Sequence, residues 1–106
     1  MSYHFTKIIK EDFDTAISKV TEQLKAEGFG VLTEIDVQDT LKKKLDVDFR
    51  KYKILGACNP HFAHLALLAE DTIGTMLPCN VIVQEREHGN VEVSAVDPVA
   101  SMMAIK

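Results

Sequence analysis

Cysteine is scarce in this chain, with two residues in 106, Cys58 and Cys79. That count excludes a dense disulfide framework, and neither residue sits in the CxxC spacing of established redox and zinc modules. A glycine-rich phosphate loop, a nucleophile elbow and an HExxH helix are also missing, so those enzyme classes lack support. No apolar stretch approaches the roughly 20 residues that a transmembrane helix needs. Met1 to Lys10 carries no signal-peptide core. Residence in the cytoplasm is the resulting expectation, with no membrane partner and with both thiols free in a reducing compartment. Basic residues are outnumbered, 12 Lys and Arg against 16 Asp and Glu, for a net charge of -4. Nucleic acid is therefore not an expected partner. The two basic clusters, Lys42-Lys43-Lys44 and Arg50-Lys51, stand near Asp39, Asp46 and Asp48. They read as solvated faces, with an anion-binding patch as the alternative. Internal repeats, low-complexity tracts and linkers are absent.

The residues that are present suit one domain over 1–106. A hydrophobic content of 46% is enough for a core that needs no metal or disulfide at this length. Tyr3 to Ile9 reads as a strand. Asp12 is a helix cap, and Phe13, Ala16, Ile17, Val20 and Leu24 recur at helical spacing up to Gly28, a permissive C′ residue. From Phe29 to Val37 the period becomes two, with Phe29, Val31, Thr33, Ile35 and Val37 expected on one face. A short helix follows over Val37 to Leu45, capped by Asp36 and turning Val37, Leu41 and Leu45 inward. Tyr52 to Cys58 is a third strand, with Tyr52, Ile54, Gly56 and Cys58 on one side. Asn59-Pro60 opens a helix to Ala69 that is apolar almost all round, a pattern of deep burial or of contact with another subunit. Ile73 to Pro78 is an apolar connection. Cys79–Glu87 and Val91–Val96 form a hairpin through His88-Gly89-Asn90. Asp97-Pro98 opens a last helix over Val99 to Ile105, where Met102 and Met103 suit a subunit contact. The order β-α-β-α-β-α-β-β-α describes an α+β, two-layer domain with a mixed or mainly antiparallel sheet of about five strands and helices packed on it.

Chemistry concentrates at two junctions, Gly56-Ala57-Cys58-Asn59-Pro60 and Leu77-Pro78-Cys79-Asn80. Cys58 precedes a helix start, where unpaired amides and the helix dipole can favour a thiolate. If the third and fourth strands are antiparallel neighbours, Cys79 begins where Cys58 ends. The two thiols then form a dithiol or contact one ligand, with Asn59 and Asn80 orienting its polar groups. Singly, each cysteine also reads as a small core hydrophobe, and each Asn as a cap or turn residue. His61 and His64, one helical turn apart, complete a possible metal set with Cys58 and Cys79, although the cysteine spacing matches no zinc module.

The string Tyr52-Lys53-Ile54-Leu55-Gly56-Ala57-Cys58-Asn59-Pro60 is joined by Ala63, Leu65, Ile73-Gly74, Leu77-Pro78-Cys79-Asn80-Val81, Gly89 and Asp97-Pro98. Together they resemble the domain of unknown function 302 family across nearly the whole chain. The resemblance implies a small bacterial or archaeal α+β domain, a homodimer, and no settled activity. Both family cysteine positions are filled, at Cys58 and Cys79. Three functions follow as expectations. The first is small-ligand binding or thiol-redox chemistry through Cys58 and Cys79. The second is a metal- or haem-binding module, and the third a non-catalytic structural or regulatory homodimer. No particular cofactor, substrate or reaction is indicated.

Overall fold

The computed structural model describes residues 4–96. Five strands form one antiparallel sheet: β1 His4–Ile9, β2 Gly30–Asp36, β3 Tyr52–Cys58, β4 Cys79–Glu85 and β5 Val91–Val96, in spatial order β1-β5-β4-β3-β2. Three α-helices intervene, α1 Phe13–Ala26, α2 Val37–Leu45 and α3 Pro60–Ala69, with 3-10 turns at Asp71–Met76 and Glu87–Gly89. The expected final helix over Val99 to Ile105 lies outside the described residues.

Helix α1 forms because its ends are satisfied and its stripe is apolar. Asp12 accepts from the Thr15 amide at 2.7 Å. At the other end Gly28, at φ 88°, donates to Lys25 O while Phe29 donates to Leu24 O, the paired bonds of a Schellman stop that favours glycine. Phe13, Ala16 and Val20 pack on Leu55, Val81, Val83 and Val91, with Ile17, Leu24, Val31, Val93 and Ala95 around them. Every strand residue in that list alternates with one on the opposite face, so α1 covers a single side of the sheet. Burying each such aliphatic side chain contributes roughly 1.5–3 kcal/mol.

Three expectations change at this level. The β2 periodicity does not hold one face: Val31 opposes Ala57, but Thr33 opposes Gly56, because a bulge at Leu32 inserts one residue into the strand. Val31 therefore meets the α1 core, while Thr33 and Ile35 fall on the other face. Leu45 does not turn inward with Val37 and Leu41; it is 65% exposed. It is the last residue of α2, beside the left-handed Asp46 that ends the helix. Strand β4 stops at Glu85 rather than Glu87, since the chain must already turn there: His88 and Gly89 both adopt positive φ.

Helix α3 has no buried residue despite its composition. Phe62 and Leu68 are 67% and 72% exposed, and Leu65 and Leu67 are exposed beside them. Of the two patterns its sequence allows, deep burial within this chain is not the one realised.

Candidate functional site

Strands β3 and β4 are antiparallel neighbours, which brings the two cysteine junctions to one rim of the sheet. Ala57 opposes Cys79, Gly56 opposes Asn80, and on the other side Cys58 opposes Gly30 at the start of β2. Cys58, the last residue of β3, is thus a diagonal neighbour of Cys79, the first of β4. Both thiols are free and half-buried.

Alternation separates them by face. Cys79 shares parity with Val81 and Val83 and, across the pair, with Ala57 and Leu55, all on the α1 side. Cys58 shares parity with Ile54 and Gly56 on the opposite side. Side-chain vectors that diverge in this way do not close a disulfide without backbone movement. Burial pushes the Cys79 thiol above its ordinary pKa of 9.0, and nearby Cys58 adds a smaller push in the same direction. Both effects disfavour the thiolate form of Cys79.

Asn59 caps α3. Its Oδ1 accepts from the amides of His61 at 3.1 Å and Phe62 at 3.2 Å, and its carbonyl accepts from Ala63. Pro60 has no amide hydrogen, so the first turn of α3 is fully satisfied by Asn59 and offers no free donor to a thiolate. Asn59 also packs on the turn that follows α1: a Cβ added at Gly28 would stand 3.2 Å from Asn59 Nδ2. Asn80 is exposed at the start of β4.

Gly56 sets the shape of the Cys58 face. A Cβ there would lie 2.1 Å from Thr33 Oγ1 and 2.7 Å from Pro78 Cγ. Backbone, threonine and proline ring meet at a distance that only glycine permits. The Leu77–Pro78 peptide bond just before Cys79 is cis.

His61 and His64 are exposed on α3. Among the described residues no group of three or more His, Cys, Asp and Glu is close enough to hold a metal ion. The set Cys58, Cys79, His61 and His64 is accordingly not gathered into a coordination sphere. None of the helices among the described residues is long and apolar enough to cross a membrane.

Two open clefts occur at the other end of the sheet. Six strand steps along β4 separate Cys79 from Glu85, about 20 Å. One cleft, near 710 Å³, lies between the start of α1 and the β4–β5 turn, with Lys51, Glu85 and His88 in its wall. The second, near 650 Å³, is bordered by Arg50, Glu85, Arg86, Glu87, His88 and Asn90. The Arg50-Lys51 cluster and the His88-Gly89-Asn90 turn are the sequence signals in this region. The pairing of β4 with β5 is what brings Arg86 and Asn90 to it.

The fold defines a class first: a two-layer α+β domain with a five-stranded antiparallel sheet and a cysteine-bearing rim. The chain belongs to the family described as Domain of unknown function DUF302, which it matches over residues 5–106. It is similar to the crystal structure of an uncharacterized conserved DUF302 protein from Bacillus stearothermophilus. The two share 32% identity with a TM-score of 0.85, over 98% of this chain and 82% of that one. No curated protein matches the chain.

Proposed function

We propose that this domain binds a small ligand, or undergoes thiol exchange with a small disulfide, at the rim formed by Cys58, Asn59, Cys79 and Asn80. The single observation that carries the reading is the β3–β4 register, with Ala57 opposite Cys79 and Gly56 opposite Asn80. Two half-buried thiols on adjacent strands, with a side-chain amide next to each, place polarisable and hydrogen-bonding groups together at one rim of the sheet. Their divergence favours a ligand or an external disulfide over an internal bridge. In that exchange a thiolate attacks the external disulfide, a mixed disulfide forms and one small thiolate leaves. This takes the domain to be cytoplasmic, as expected from its sequence, where small thiols and disulfides are available.

The test is alkylation of the native full chain with iodoacetamide, followed residue by residue by mass spectrometry from pH 6 to 10. Cys79 should react with a midpoint above 9, and oxidised glutathione should form a mixed disulfide at one of the two cysteines. Thiols that stay inert in the native chain yet react freely after denaturation would overturn the reading.

A homodimer is the second reading, and the exposure of Phe62, Leu65, Leu67 and Leu68 on α3 favours it. Such a row of apolar side chains on one short helix marks an interaction face. Sedimentation equilibrium that returns the mass of a single chain would dispose of it.

A further inference from the structure

The second face of the sheet carries a row of cross-strand partners at the end remote from the cysteines. Tyr52 opposes Gln84, and Gln84 opposes Glu92. Two arginines are tied to this row by the same atom. Arg50 Nε donates to Gln84 Oε1 at 2.9 Å, and Arg86 Nε donates to Glu92 Oε2. Gln84 is only 5% exposed, so it is a rigid anchor. The Arg50 guanidinium also lies over Phe49, 4.4 Å from the ring centroid, and 5.8 Å from that of Tyr52. Stacking and the Nε bond together fix the plane of that group.

Anchoring through Nε leaves the terminal nitrogens of both arginines without a hydrogen-bond partner among the described residues. Both groups border the same cleft of about 650 Å³, beside His88 and Asn90. Directly opposed positions on neighbouring strands are about 5 Å apart, so the two guanidiniums depart from adjacent anchors. Planar forks with free donors match the geometry of a carboxylate or phosphate oxygen pair. Glu85 and Glu87 border the cleft too, and Glu92 already balances Arg86. The two arginines thus stand among three carboxylates, so the attraction rests on the directed N–H donors of the forks rather than on net charge, and a polyanion is disfavoured.

We propose that the cleft between Arg50 and Arg86 binds the single carboxylate or phosphate group of a small molecule. It is a site separate from the thiol rim and independent of whatever chemistry that rim performs.

The experiment is titration of the full 15N-labelled chain at low ionic strength with inorganic phosphate, acetate and pyrophosphate, followed by amide and Arg Nε resonances. Saturable shifts confined to Arg50, Gln84 to Glu92 and the two Arg side chains are expected. Phosphate outranking acetate, or the reverse, tells the two oxyanion classes apart. Arg50→Lys and Arg86→Lys keep the charge but remove the fork, and each should weaken binding by about tenfold or more. Lys44→Gln, remote on α2, should bind as the parent does. The proposal is overturned if no shift saturates by tens of millimolar or if the double lysine variant binds like wild type. Pyrophosphate binding that grows simply with charge, with shifts spread over Lys42 to Lys44, would overturn it equally. Thermal unfolding of each variant confirms that it is folded; if Arg50→Lys is not, Arg86→Lys carries the test.

Discussion

Replacing Gly56 by alanine probes the tightest approach in the molecule. The added Cβ would sit 2.1 Å from Thr33 Oγ1 and 2.7 Å from Pro78 Cγ, well inside the roughly 3.5 Å at which nonbonded heavy atoms rest. Neither neighbour yields easily: threonine is stiff at χ1 and the proline ring cannot swing away. Thr33 sits just beyond the β2 bulge, opposite Gly56 in the ladder, so relief requires movement of a paired strand. Forcing an extra carbon into such a site costs roughly 1–3 kcal/mol, a large share of the 5–15 kcal/mol that typically holds a domain together. Urea unfolding followed by circular dichroism measures it, and an unchanged m-value would show that only stability moved. Thr33→Ala in the same chain removes the closer contact but leaves Pro78, so the double variant should recover part of the loss. A Gly56→Ala protein within about 0.5 kcal/mol of wild type, or no recovery in the double variant, would refute the packing described for the Cys58 face.

Other consequences are open to direct measurement. Asn59→Ala removes the acceptor for two α3 amides and should cost about 0.5–2 kcal/mol, whereas Asn59→Ser keeps a cap and should cost little; equal losses would contradict the capping role. The folded chain holds the Cys79 proton more tightly than the unfolded chain does, because burial raises the thiol pKa from 9.0. The stabilisation linked to this thiol is therefore present below that value and is lost as pH rises through the folded one. Urea titrations from pH 7 to 10 should show wild type declining more steeply than Cys79→Ala, and parallel curves would count against the buried thiol. Leu68→Glu alters a side chain that is 72% exposed. On the homodimer proposed above, the added charge should lower the sedimentation mass from two chains to one; a lower Tm with unchanged mass would assign Leu68 to internal packing.

Local signals determined most of the element boundaries. Asp12, Asp36 and Asn59 each cap a helix as their position before an apolar or proline start implied, and Gly28 ends α1 through bonds that a glycine C′ residue favours. These outcomes depend on atoms a few residues apart, so the sequence contains the whole interaction. The strand order β1-β5-β4-β3-β2 does not arise in that way, because pairings between distant segments depend on which faces can be buried together under α1. The bulge at Leu32 shows the difference most clearly: the alternation along β2 is unbroken in sequence, yet pairing with β3 leaves Leu32 extra and puts Thr33 opposite Gly56. At the rim, the cysteines and their asparagines were visible as residues. Only strand pairing decided that Cys58 and Cys79 are diagonal neighbours on opposite faces, since a face is defined by register with another strand. The Arg50–Gln84 and Arg86–Glu92 anchors likewise exist only after β3, β4 and β5 align. Sequence alone carries the donors and acceptors, and tertiary pairing brings them within bonding distance.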